Sequence, residues 1–206
     1  MGRYLGSVCK LCRRVSEKLF LKGERCDIKC TLDKRKKKAG GKTSRFPSKQ
    51  SEYGKRLREK QKTRFSAFLN EAQFHNYYKQ SKKMPGSPGP NLLFLLETRL
   101  DNVVRKMGFA QSIIASRQLI SHGNIKVNGR NLRVPAYRVR IGDKIVLNDK
   151  LKENAALKRW IGNYTKAPTW LTVNKESFSG EVVSLPTRQD ISYPVDETLI
   201  VELYSR

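Results

Sequence analysis

The chain has 206 residues, 43 of them Lys or Arg against 18 Asp or Glu, for a formal charge of +25. Its 38% apolar share supports a packed core, which argues against wholesale disorder, and no run approaches the roughly 18 apolar residues of a membrane span. Such an excess of cations attracts a polyanion and opposes compaction without one, so nucleic acid leads a membrane surface or an acidic protein as partner. The start of the chain shows no charged-then-apolar signal segment. A cytosolic compartment is therefore expected, where thiols stay reduced.

All four cysteines fall in the first 30 residues, as Cys9, Cys12, Cys26 and Cys30. Two close pairs separated by a short loop suit one tetrahedral, structural zinc ion, and four sulfurs leave no open position for catalysis. An iron–sulfur cluster uses the same ligands, and four small core residues are the plain alternative. Residues 34 to 60 hold twelve Lys or Arg against Glu52 and Glu59. The stretch from 34 to 50, with Lys36, Lys37, Lys38 and Arg45, has no apolar period. It reads as a mobile basic arm that orders on a phosphate backbone, or else as a solubilising segment.

From Ser51, a candidate cap, Tyr53, Leu57, Phe65, Phe68, Leu69 and Ala72 form a helical stripe, with Lys55, Arg56 and Lys60 as candidate phosphate contacts. A second helical piece covers Glu71 to Tyr78. Tyr77 and Tyr78 suit core packing or stacking, and His75 reads as a surface residue. Met84 to Pro90 reads as a non-helical linker.

Beyond it, Leu92, Leu95, Leu96, Leu100, Val103, Val104 and Met107 mark one helix face, stopped at Gly108. Ile113, Ile114, Leu119 and Ile120 mark a second helix. The period then switches to two at Ile125 and Val127, and Asn128-Gly129 is a strong hairpin signal. Tyr137 to Leu147 suggest further strands. A helix–turn–helix can enter a DNA groove, but here a hairpin follows the second helix at once and the basic charge is spread over the whole chain. Shape recognition of RNA fits better. Asn154 to Tyr164 reads as one more short helix, and the last residues, such as Thr198 to Leu203, as extended pieces. Residues 167 to 206 reverse the charge, with Lys175, Arg188 and Arg206 against six carboxylates. Glu176, Glu181, Asp190, Asp196 and Glu197 therefore suggest a face for a neighbouring protein, with simple charge balancing as the alternative.

The run LETRLDNVVRKMGFAQSIIASRQLISHGNIKVNG resembles the RNA-binding module named after the fourth protein of the small ribosomal subunit. MGRYLGSVCKLCRR, SEYGKRLREKQK, NYY and LIVELYSR resemble further segments of that bacterial-type family, in the same order, with the poorest match between about Thr31 and Lys49. The resemblance implies an α+β protein: a mostly helical domain built from both chain ends, an inserted helix–turn–helix and hairpin module, and an N-terminal zinc knuckle. The boundaries expected are 1–33 for the knuckle, 34–50 for the arm, 51–90 and 154–206 for the helical domain, and 91–153 for the module.

It also implies that Arg3, Tyr4, Arg13 and Arg14, and in the module Gln111, Ser112, Arg117, Gln118, His122, Lys126 and Asn128, face RNA. Where the family is usually basic this chain has Ile113, so Arg99, Arg105 or the arm would compensate. The implied partners are the 5′ domain of small-subunit rRNA, mRNA where it enters the subunit, and neighbouring proteins, the fifth above all. By the same resemblance the protein would nucleate assembly and support translational accuracy, with no membrane and no small-molecule substrate. The location would be a cytoplasmic or organellar ribosome. Related modules serve as accessories in some RNA-modifying enzymes, but neither G-x-G-x-x-G nor a phosphate-binding G-x-x-x-x-G-K-[ST] loop is present, so no enzyme is expected.

Overall fold

The computed structural model describes residues 4–38, 51–164, 167–191 and 195–205. The chain divides into two compact units, Leu92–Ser192 and a discontinuous one made of Met1–Asn91 with Tyr193–Arg206.

The discontinuous unit is helical. It contains α1 (Cys9–Val15), α2 (Glu24–Ile28), α3 (Thr31–Lys38), α4 (Glu52–Ser66), α5 (Glu71–Lys83), the start of α6 (Pro88–Glu97) and, at the far end of the chain, α11 (Glu197–Tyr204). Ser51 caps α4 as expected, its hydroxyl accepting from Gly54 N at 3.2 Å. Asn70 and Gln73 form a reciprocal capping box on α5. Phe65, Phe68, Leu69, Phe74, Tyr78 and Ile200 are buried. Tyr78 stacks on Tyr204 with ring centroids 4.5 Å apart.

Five expectations are corrected in this unit and at its edge. Thr198 to Leu203 form helix rather than extended chain. Asp196 accepts from Thr198 N at 3.0 Å, and docking against α4 overrides the β propensity of Ile200 and Val201. Lys34 to Lys38 belong to helix α3, so the basic arm does not begin at 34. Tyr53, assigned to the buried stripe, is exposed, and so is Ala72. Pro88 to Pro90 are not a linker but the first turn of α6, where a missing N–H leaves no bond unmade. Gly89 leaves room there for Glu197, whose Cγ a Cβ would approach within 2.8 Å, so a larger residue would force Glu197 to shift.

The second unit holds α7 (Leu100–Lys106), α8 (Ile113–Ser121), β1 (Ile125–Val127), β2 (Arg130–Asn131), β3 (Lys144–Leu147), α9 (Asp149–Lys152), α10 (Ala155–Asn163), β4 (Leu171–Asn174), β5 (Ser179–Val182) and a 3-10 turn at Arg188–Asp190. The strands form one antiparallel sheet in the order β2-β1-β3-β5-β4. Leu100, Val104, Met107, Phe109, Ile120, Ile125, Ile145, Leu147, Trp170 and Val182 pack as its core.

The single helix expected over residues 91 to 107 is two. The chain breaks at Thr98-Arg99, which pairs with the segment around Arg138: Val139 N donates to Thr98 O at 2.9 Å and Leu100 N to Tyr137 O at 2.8 Å. Within Tyr137 to Leu147 only Lys144–Leu147 is a regular strand. The boundary expected at 153 also moves. Because β5 pairs with β3, residues 154–192 group with the inserted unit and not with the helical one. Among the described residues no helix is long and apolar enough to cross a membrane.

The Asp196 carboxyl is held below its usual range by the Thr198 hydroxyl and backbone N–H, with burial opposing. A lowered folded value gives stability that is complete above the ordinary value of 3.8 and lost as pH falls through the folded one. Asp196→Ala should therefore lose about 1 kcal/mol at neutral pH. Urea unfolding should show the gap to the wild type closing as the solution is acidified.

Candidate nucleic-acid interface

The turn after Gly108 sets the entry of α8. Ser112 accepts from Ala115 N at 3.2 Å and caps the helix, so this predicted RNA contact is a buried structural cap. Gln118 and His122, four residues apart, are exposed on one helix face, and Gln111 is exposed just before it. Ile113, at the position where the resembled family is usually basic, is buried at 3% exposure.

Arg117 is half-buried and its Nε donates to Asp101 Oδ2 at 2.8 Å. Arg99 is buried and makes a fork to the same carboxylate, Nε to Oδ1 at 3.1 Å and Nη2 to Oδ2 at 2.7 Å. Asn128 and Gly129 both have positive φ, 49° and 79°, as a type I′ hairpin turn requires. The Asn128 amide is engaged on both ends: Nδ2 donates to Asp143 Oδ1 at 2.8 Å, and Oδ1 accepts from Lys144 N at 2.9 Å. Lys126 lies 3.7 Å from Asp149.

In the helical unit the predicted cations divide. Arg14 is exposed, while Arg13 donates Nε to Cys9 O at 3.4 Å. Tyr4 donates to Ser7 O at 3.3 Å and meets the edge of Phe68. Lys55 pairs with Glu52, Arg56 with Glu202 and Lys60 with Glu71, each at 2.7 Å. Arg56 and Lys60 are largely covered, and Lys60 also sits 5.5 Å from the Tyr204 ring centroid. These two fasten the domain together. His75 also lies against Tyr204, at 5.2 Å between ring centroids. Arg3 and Arg45 lie outside the described residues, as do the side chains of Lys36, Lys37 and Lys38.

The structure adds cations that periodicity did not single out. Arg130, Arg133, Arg138, Arg140 and Lys144 of the second unit are all exposed. The available signal was the alternation of Arg138 and Arg140 about buried Val139.

Of the acidic residues, Glu176, Glu181 and Asp190 belong to the second unit and Asp196 and Glu197 to the helical one. Asp190 accepts from Thr187 N at 2.8 Å and Thr187 Oγ1 at 2.7 Å. The Thr187 hydroxyl, then its backbone N–H, hold it below the usual carboxylate range. Asp196 caps α11. Both carboxylates are thus engaged within their own units.

The four cysteines, with Lys22, Arg25, Lys29, Cys30's neighbour Thr31 and Leu32, line one cavity of about 20 Å³. Cys9 and Cys12 share the first turn of α1, and Lys22 N donates to Cys26 Sγ at 3.3 Å. A hydrogen bond with Thr31 pulls the Cys9 thiol down, with Lys22 and Arg25 assisting against burial, while burial pushes Cys12 and Cys26 up. The donor chemistry fits a thiophilic ion. Even so, among the described residues no three His, Cys, Asp or Glu side chains form a metal-holding group.

The chain matches the Ribosomal protein S4/S9 N-terminal domain over residues 3–97 and the S4 domain over residues 98–145. It is 51% identical to small ribosomal subunit protein uS4 of Endomicrobium trichonymphae, 49% to that of Natranaerobius thermophilus and 47% to that of Halothermothrix orenii. Each comparison covers 100% of both chains.

Asn128→Ala removes both side-chain anchors of the hairpin tip, leaving the Asn128 N–H bond to Lys144 O, and places a residue without a polar side chain at positive φ. It should lose about 1 to 2 kcal/mol of stability, read by urea unfolding.

Proposed function

The chain belongs to the uS4 family of small ribosomal subunit proteins, and from that premise we propose that it is a structural rRNA-binding constituent of the small subunit, on the ribosome in the cytoplasm. The observation that carries this reading is full-length identity of about half to a named uS4. The exposed face of Gln118 and His122 beside Arg117 and the hairpin supports the module as the reading surface.

The finer reading is that the module and the N-terminal segment hold a junction in the 5′ domain of the rRNA and so nucleate assembly. With neighbouring proteins, the fifth in particular, the protein supports accuracy and borders the path where mRNA enters. A +25 chain supports affinity dominated by phosphate neutralisation. Specificity then comes from splayed bases and 2′-hydroxyls met by side chains such as Gln111, Gln118 and His122. Salt-titrated competition between labelled 5′-domain RNA and excess unrelated structured RNA tests this. The 5′-domain RNA should win across the series; equal competition would mean that charge alone binds.

The N-terminal cysteines complete the proposal. Cys9, Cys12, Cys26 and Cys30 would hold one structural zinc ion, which, when bound, would offset two of the four thiolate charges and cross-link α1, α2 and the start of α3. The shared cavity and the cationic rim of Lys22, Arg25 and Lys29 support this reading. Cys26→Ser combined with Cys30→Ser should release zinc and loosen the first 30 residues. Unchanged metal content would refute the assignment.

A further inference from the structure

We propose that Asp101 is the positioning residue of the RNA-binding module: its buried carboxylate sets the guanidinium of Arg117 on the RNA-facing side of α8. The inference rests on the functional reading above. Asp101 has no solvent exposure, and Arg99 and Arg117 both donate to it, Arg99 through a fork and Arg117 through Nε. Arg99 is itself buried, whereas Arg117 keeps 21% of its side chain in solvent. Arg117 also precedes exposed Gln118 in the sequence and lies one turn before exposed Ser121.

The backbone of Asp101 is tied down on two sides. Ser116 Oγ donates to its carbonyl at 2.6 Å, and its own N–H donates to Pro135 O at 3.2 Å. The carboxylate therefore belongs to a fixed corner joining α7, α8 and the loop before Arg138.

One carboxylate receives two guanidiniums here and holds both at a defined place. Buried ion pairs are a poor way to add stability, since a well-packed apolar replacement often does as well, but they fix geometry. Arginine is suited to the role, because its planar fork loses little freedom per bond once one edge is held. The second fully buried carboxylate, Glu97, is the internal contrast. It holds Lys106 at 2.8 Å and accepts from Asn102, but Lys106 is directed inward, donating also to Asp190 O at 3.2 Å.

The expected effect of removing this carboxylate runs against bulk electrostatics. In a +25 chain, removing a carboxylate raises net charge and by bulk electrostatics should tighten RNA binding. Asp101→Asn should instead weaken it. The test titrates the full chain into labelled 5′-domain RNA at several salt concentrations, with unrelated structured RNA as competitor and circular dichroism melting on every variant. Asp101→Asn is expected to lose about tenfold in affinity, the scale of one charge-assisted hydrogen bond, and about one in the slope of log affinity against log salt.

Glu97→Gln makes the same charge change and should leave the salt slope unchanged, whatever it does to the melt. Arg117→Lys should lose about as much as Asp101→Asn, and the double variant no more than either single one. Binding by Asp101→Asn that is equal or tighter, or losses that multiply in the double variant, would overturn the proposal. Should Asp101→Asn fail to fold, Arg117→Lys decides, since unchanged affinity and slope there would overturn it too. A wild-type chain with no preference for the 5′-domain RNA would sink the functional reading itself, an outcome distinct from a specific wild type beside an unaffected variant.

Discussion

The interaction on which both units depend is the pairing of scarce carboxylates with abundant cations. With 43 basic side chains against 18 acidic ones, the protein must limit self-repulsion before any core can form. It does so by placing carboxylates at the joints. Glu202 holds α11 to Arg56 of α4, and Glu71 holds Lys60 and Tyr204 together. Glu17 reaches buried Lys62, linking the segment after α1 to the same helix. In the second unit Asp101 and Glu97 lie fully inside, each neutralising cations near the turn between α6 and α7. Isolated surface pairs contribute little. These are placed between elements, where they decide which helix docks on which.

That arrangement explains why charge runs in the sequence were a partial guide to the binding surface. Lys55, Arg56 and Lys60 look equivalent along the chain, yet two of them are largely covered: Arg56 pairs with Glu202, 146 positions on, and Lys60 with Glu71 of the next helix, 11 positions on. Neither pairing follows from the charge run itself. Arg117 and Arg14, by contrast, lie in motifs that resemble the family's. Arg130 and Arg133 lie on a two-residue strand and the loop after it, with no period to mark them.

Local chemistry was legible wherever a few neighbouring residues determine it. The Ser51 cap, the Asn128-Gly129 turn, the stop at Gly108 and the extent of α8 all follow from short-range rules. What escaped was set by distant pairing. Thr98-Arg99 interrupts an otherwise continuous helical stripe because residues 137 to 139 bond to it. Ile200 and Val201 are β-branched yet helical because α4 offers a docking face and Asp196 a cap. Residues 154–192 could not be assigned to a unit from composition, since the pairing of β5 with β3 decides it. The cysteine spacing suggested a common metal site; the four side chains do line one cavity, but spacing says nothing about sulfur-to-sulfur geometry.

The pairing of α11 with α4 has a kinetic consequence. Arg56 and Glu202 are 146 positions apart, with the whole second unit between them. Synthesis proceeds from the N-terminus, so Leu92–Ser192 is complete and contiguous while α4 still lacks its partner helix. The inserted unit can therefore collapse first, turning a long floppy loop into a compact body and reducing the entropy of the closure that follows. Until then the face of α4 that receives Ile200 stays uncovered. That makes the interval between the two events the point at which a nascent chain of this kind is most exposed to aggregation or to holding by a chaperone.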